Sequence, residues 1–284
     1  MRNDLRFADR IRGCLGIIRP VNVLIVGISV AIGSYLSGTL LALKVLLACV
    51  SAGMILGAGN AINDVSDSET DSINNPKRPI PSGLLSRRAA SIIGVLLFSL
   101  GILLSWLISF SALLMAISCC ALLVVYAVWL KRQGLWGNLL VSMLTALAFI
   151  YGGVAVRNPV GALFPAAFAF LFHLGREIVK DVADVKGDRS VQARTFPVLF
   201  GERAGVLFSA AVFALLILVT PLPFVFGLYG ALYLIFVLVG VDLVLAVIVA
   251  SLIARRSWMN TSRASTLLKM DMVAGLVALV VGRI

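Results

Sequence analysis

Long apolar runs alternate with short polar ones along this chain, and the apolar runs have the length of a membrane. About 20 apolar residues carry an α-helix across a bilayer. By that measure nine runs qualify: 17–37, 41–62, 89–110, 111–130, 136–156, 160–179, 204–224, 228–253 and 266–283. Gly and Pro inside them do not argue against helices, because lipid offers the backbone no hydrogen-bond partner other than itself. The pattern predicts an all-α integral membrane protein with nine transmembrane helices.

Two stretches interrupt it. The second run is followed at once by Asn63-Asp64-Val65-Ser66-Asp67-Ser68-Glu69-Thr70-Asp71, and the sixth by Lys180-Asp181-Val182-Ala183-Asp184-Val185-Lys186-Gly187-Asp188. Both read D-V-x-D-x-x-x-D, with Asp64, Asp67 and Asp71 falling on Asp181, Asp184 and Asp188 at an offset of 117 residues. On a helix Asn63, Asp67 and Asp71 share one face, four residues apart, with Asp64 beside them. Carboxylates so close repel by roughly 1–4 kcal/mol per contacting pair, and a cation removes that cost. Oxygen-only ligands favour Mg2+ or Ca2+ over zinc. The repeat predicts two four-helix pseudo-repeat halves, about 17–130 and 136–253, within one domain spanning 1–284. They run in the same direction and face each other across a central cavity, and a ninth helix at about 266–283 is added.

Composition strengthens the membrane reading. Hydrophobic residues make up 61% of the chain and charged residues 13%, with a mean hydropathy of +1.06, whereas soluble domains are nearer half apolar and a quarter charged. The net charge of +11 is then a matter of topology. With the N-terminus cytoplasmic, segments 1–19, 63–88, 131–135, 176–203 and 254–269 hold 21 of the 24 Lys and Arg, leaving Lys44, Arg157 and Arg283. That is a strong positive-inside bias. It places both aspartate stretches, which with Glu177 hold eight of the 13 acids, on the cytoplasmic side of a multi-pass cell-membrane protein. Charge so distributed gives no support to a nucleic-acid role. Cys14, Cys49, Cys119 and Cys120 lack CxxC spacing and read as small hydrophobes. Met1 to Arg19 shows no removable signal, so the first span is expected to direct insertion.

Cations lie close to the acidic stretches. The loop Asn74-Asn75-Pro76-Lys77-Arg78-Pro79-Ile80-Pro81-Ser82-Gly83 presents Lys77 and Arg78 on an extended, proline-stiffened backbone. His173, Arg176, Glu177, Lys180, Asp184 and Asp188 fall near one helical stripe, and Arg194 follows. Arg and Lys interleaved with carboxylates suit phosphate. Asp242, mid-span, suits either function or a hydrogen bond to a neighbouring helix. Lys269 and Asp271 are expected at the interfacial start of the ninth span. Gly57 and Gly59 are expected to permit close helix contact, and Phe149, Tyr151 and Phe172 to be packing residues more often than chamber lining.

N-D-x-x-D-x-x-x-D at 63–71, R-P-I-P-S-G at 78–83, D-x-x-x-D at 184–188, R-P-x-N at 19–22 and the nine-span layout together resemble the UbiA superfamily of intramembrane prenyltransferases. The resemblance implies Mg2+-dependent condensation of an isoprenyl diphosphate with a lipid-like acceptor in a helical chamber open to membrane lipids. It implies that Asn63, Asp67, Asp71, Asp184 and Asp188 bind the diphosphate through Mg2+, with Asp64 and Asp181 in or beside that shell. Lys77, Arg78 and Lys131 would contact diphosphate oxygens, and Arg19 and Asn22 would lie near the acceptor. The family's Tyr-x-x-x-Lys motif is met loosely by Tyr126 and Lys131, which are five apart. Gly175-Arg176-Glu177-Ile178-Val179-Lys180-Asp181 and Tyr151-Gly152-Gly153 are most similar to archaeal ether-lipid enzymes. That implies transfer of a geranylgeranyl group to geranylgeranylglyceryl phosphate, with Arg176, Lys180 and Arg194 among the groups suited to phosphate. The alternatives are an aromatic-acceptor prenyltransferase of the 4-hydroxybenzoate type and, from a different class, a transporter of a phosphorylated lipid or metal. Transporter sites usually lie near the midplane on broken helices, whereas these charged motifs close helices on one side.

Overall fold

The computed structural model describes residues 7–38, 42–190, 192–255 and 259–283. Among them the regular structure is helical throughout. Arg2, Arg6 and Arg256, and the first residue of the 41–62 run, lie outside the described residues. The helices are α1 (Phe7–Ile18), α2 (Pro20–Leu36), α3 (Leu43–Asn74), α4 (Arg87–Ile108), α5 (Phe110–Val128), α6 (Leu135–Ala155) and α7 (Leu163–Ser190). They continue with α8 (Phe196–Phe200), α9 (Glu202–Val219), α10 (Leu222–Val225), α11 (Ala231–Val237), α12 (Leu243–Ile253) and α13 (Thr261–Val281). Eight spans are long and apolar enough to cross a membrane, and α1 with α2, meeting at 45°, supplies a ninth. The nine expected runs thus correspond to α2, α3, α4, α5, α6, α7, α9, α11 with α12, and α13.

Local chemistry explains the breaks. Pro20 starts α2 where its missing N–H costs nothing, and Arg19 before it turns through a left-handed φ of 58°. Ser86, Ser109 and Asn260 cap α4, α5 and α13 by accepting from the backbone N–H three residues on. Pro221 and Pro223 end the seventh run early. A π-helical turn at Leu238–Asp242 separates α11 from α12.

Three boundaries differ from expectation. The α3 and α7 helices do not stop with their apolar runs at 62 and 179 but continue through both acidic stretches to Asn74 and Ser190. Side chains support that extension, as where Asn63 donates to Asp67 at 3.1 Å one turn on. The last helix begins at Thr261, five residues before the expected 266. Asp271 therefore lies halfway along α13 and is buried, not at an interfacial start, and Lys269, two residues before it, also lies well inside the helix, on an exposed face.

The bundle is drawn together by glycine. A Cβ on Gly152 would run into the backbone of Val30 and Ser34, and one on Gly33 into that of Phe149, so α2 and α6 cross almost backbone to backbone. Gly57 admits Ile18 and Leu97, and Gly59 admits Leu123, as expected of small residues in spans. Phe149 and Tyr151 are buried in packing, and Tyr151 also hydrogen-bonds Ser105 at 2.7 Å and Ser51 at 3.0 Å. Phe172 lines an apolar cavity enclosed by α7, α9, α11 and α13.

Candidate active site

The first acidic stretch occupies the final turns of α3, and each of its three aspartates has a cation. Asp64, 3% exposed, accepts from Arg19 at 2.5 Å and lies 3.5 Å from Arg78. Asp71, 5% exposed, accepts from Arg78 at 2.6 Å and from Asn75 at 3.1 Å. Asp67 is ion-paired to Lys131. The cations come from three separate places: the bend between α1 and α2, the loop after α3, and the 3-10 turn Leu130–Arg132 after α5. Asn60 fixes the first of these by donating to the Ile18 carbonyl at 3.0 Å.

The second stretch closes α7. Asp181 accepts from Asn138 of α6 at 2.7 Å, and Asp188 from Thr195 at 3.0 Å. Asp184 is exposed. One turn deeper, buried Glu177 gathers Arg176 at 2.8 Å, Lys180 at 3.2 Å and His173 at 3.7 Å. The Lys180 side chain keeps 49% of its surface accessible, so this stripe reaches solvent there. His173 Nδ1 and Arg176 Nε are buried without hydrogen-bond partners, leaving two polar atoms of the same stripe unspent.

Both stretches lie at one end of the bundle. Tyr126 of α5 is near enough to Asp67 and to Glu177, Lys180 and Asp181 to interact electrostatically with all four. A Cβ on Gly134, which has a φ of 59° and follows the Lys131 turn, would meet the Arg194 carbonyl, next to the Thr195 that holds Asp188. The Tyr126–Lys131 spacing is explained by a break. Helix α5 ends at Val128 and the backbone re-forms as a 3-10 turn, which brings Lys131 onto Asp67 despite the five-residue offset.

Asn63, Asp64, Asp67, Asp71, Asp181, Asp184 and Asp188 do not form a single closed shell: among the described residues no three Asp, Glu, His or Cys side chains converge as a metal cage. Asp64 is committed to Arg19, and Asp181 to Asn138. The remaining donors are all oxygens. That fits Mg2+, which characteristically takes one or two carboxylates and completes its shell with substrate phosphates and water. Of the other expected groups, Asn22, Lys77 and Arg194 are exposed around the same mouth. Asn75, Asn138 and Thr195 were not anticipated. Asn75 and Thr195, just beyond the two stretches, carry a trace in sequence; Asn138 sits 43 residues from its partner.

The chain matches the model of the UbiA prenyltransferase family over residues 22–271. It is 35% identical over 266 residues to the digeranylgeranylglyceryl phosphate synthase of Methanothermobacter thermautotrophicus, covering 94% of each chain. To that of Natronomonas pharaonis it is 37% identical over 278 residues, covering 97% of this chain and 98% of the relative. A solved structure of digeranylgeranylglyceryl phosphate synthase superposes with a TM-score of 0.83 at 31% identity, covering 96% of this chain and 98% of that one. The fold is shared with a UbiA homologue from Archaeoglobus fulgidus bound to DMAPP and Mg2+, with a TM-score of 0.68 at 17% identity, covering 95% and 99% of the two chains.

Proposed function

Because this chain belongs to the UbiA prenyltransferase family, we propose that it transfers a geranylgeranyl group from geranylgeranyl diphosphate to geranylgeranylglyceryl phosphate, with Mg2+, in ether-lipid synthesis. One observation carries the reading: two carboxylate stripes from distant parts of the chain, α3 and α7, are brought to one end of an apolar bundle with Lys and Arg interleaved. The near-full-length likeness to two archaeal synthases supports the choice of acceptor.

Asn63, Asp67 and Asp71 on one side and Asp184 and Asp188 on the other would hold Mg2+, with Asp64 and Asp181 beside that shell. When bound, Mg2+ neutralises charge developing on the leaving diphosphate. The chain's own groups do the rest. Lys131, Arg78 and Lys77 take diphosphate oxygens, the first two exchanging aspartate for phosphate as ligand enters. Tyr126 lies between the two stripes and orients the donor head. Arg19, Asn22, Arg176, Lys180 and Arg194 surround the mouth where the acceptor phosphate must rest, Arg176 with an unpartnered Nε to offer. The acceptor hydroxyl attacks the allylic carbon as its bond to diphosphate breaks, and its proton passes to a released diphosphate oxygen or an aspartate. Apolar walls exclude water from the allylic cation.

The prenyl tails fix the location, since each buried CH2 gains about 0.8 kcal/mol. We place the active-site mouth and the N-terminus on the cytoplasmic side, on the strength of the Lys and Arg bias. The two halves, α2 to α5 and α6 to α12, are read as a pseudo-repeat on the 117-residue offset of their acidic stretches. The test is to give purified protein in nanodiscs labelled geranylgeranyl diphosphate with either geranylgeranylglyceryl phosphate or 4-hydroxybenzoate. Mg2+-dependent product with the first alone is expected. Product with the second alone would replace this reading by the aromatic one, and no product with either, with ligand movement across the membrane of reconstituted vesicles, would indicate a transporter.

A further inference from the structure

The last two spans carry a polar site that the transfer reaction does not use. Asp242 is the twelfth residue of the 23 from Ala231 to Ile253, and Asp271 the eleventh of the 21 in α13. The two segments are antiparallel and joined by a short connection, so carboxyls midway along each lie at the same depth. The π-helical turn that carries Asp242 packs against α13, and Val241 and Met272, the neighbours of the two carboxyls in sequence, line the same cavity. Each is 4% exposed. Thr220, at the end of α9, donates to Asp242 Oδ2 at 2.8 Å, and Tyr233 donates to the Thr220 carbonyl at 2.7 Å, fixing its position. That leaves Asp242 Oδ1 and both oxygens of Asp271 buried without a partner.

Three unpartnered carboxylate oxygens in the apolar interior are an expense that packing does not explain. Either residue replaced by leucine would pack at no such cost. The backbone is altered at the same place: the π-helical turn Leu238–Asp242 ends on Asp242 itself, and such turns concentrate at functional positions. Broken helices at mid-membrane depth are where transporters coordinate alkali cations. The donors are oxygens only, and the surroundings, including Val237, Val241 and Met272, are apolar. An ion here must shed its water, which Mg2+ does reluctantly. With one carboxyl protonated, a single monovalent cation leaves the site neutral.

We propose that Asp242, Asp271 and Thr220 form a binding site for one desolvated alkali-metal cation that locks the last two spans together, separate from the aspartate clusters. The test uses full-length protein stripped of divalent ions with EDTA and compares thermal unfolding in NaCl and in choline chloride at equal ionic strength. A saturable, Na+-specific rise of roughly 3 °C at tenfold excess over the dissociation constant is expected. Asp271→Asn should abolish the rise while leaving prenyl transfer intact, and Asp67→Asn should retain it, which separates this site from the active-site clusters. No Na+-specific rise in the unaltered protein, or the same rise in Asp271→Asn, would overturn the proposal and leave two carboxyls that hold only protons. Should Asp271→Asn fail to fold, equilibrium binding of radiolabelled Na+ decides: saturation near one ion per chain supports the site, and its absence removes it.

Discussion

Replacing Asp67 by asparagine keeps the shape of the side chain and removes one charge, which separates what the residue does for the fold from what it does for the reaction. Asp67 pairs with Lys131, the two side chains being 19% and 11% exposed. Removing one partner of a fully buried pair costs about 3–5 kcal/mol. Both groups here still touch solvent, so screening reduces the cost to roughly 1–2 kcal/mol. If Asp67 also neutralises the reacting diphosphate through a metal, transfer should fall further than stability does. Losing one preorganised electrostatic group typically lowers kcat by about 10²–10³. The double variant Asp67→Asn with Lys131→Met discriminates between the two roles. It leaves no unpaired charge, so its unfolding midpoint should return toward that of the unaltered protein, while its activity should lie below either single variant. Labelled transfer in nanodiscs, titrated with Mg2+, reads the first quantity and thermal unfolding in detergent the second. Activity in Asp67→Asn within about twofold of the unaltered protein, with the same Mg2+ dependence, would refute the role assigned to the first cluster.

Arg176→Ala should raise the KM for the acceptor by at least about tenfold, roughly one charge-assisted hydrogen bond, and leave the KM for the donor alone, as read by steady-state kinetics with each substrate varied. Gly152→Val should destabilise by about 3 kcal/mol or more, since a side chain there meets backbone that cannot move aside; loss of folded yield in size-exclusion chromatography checks it. Tyr151→Phe should cost only about 1–2 kcal/mol, the loss of its bonds to Ser51 and Ser105, with kcat unchanged.

What sequence disclosed and what it hid follow from how far apart the interacting groups lie. Spans were legible because hydrophobicity is a local property, and the acidic stretches because they recur with the same spacing. Their partners were harder. Arg78 was visible, seven residues from Asp71, but Asn138 reaches Asp181 across 43 residues and Arg19 reaches Asp64 across 45. The facing of Tyr126 and Lys131 depended on where α5 stops. Nothing local to the Tyr-Ala-Val-Trp-Leu-Lys segment announces the change to a 3-10 turn. Asp271 was misplaced because hydropathy located the start of the last span, whereas Asn260 had already capped the helix five residues before 266.

Helix length reconciles a charged site with a greasy substrate. At 1.5 Å per residue the 32 residues of α3 extend about 48 Å and the 28 of α7 about 42 Å, against a hydrocarbon core of about 30 Å. The surplus is two to three turns on each, and those turns carry the two acidic stretches. Both helices are thus continuous from the apolar region, where a prenyl chain belongs, to the aqueous boundary, where a diphosphate belongs. A flexible loop in that place would let the carboxylates drift apart under their own repulsion. A helix anchored in the bundle fixes their spacing, and Arg19, Arg78 and Lys131 offset the repulsion.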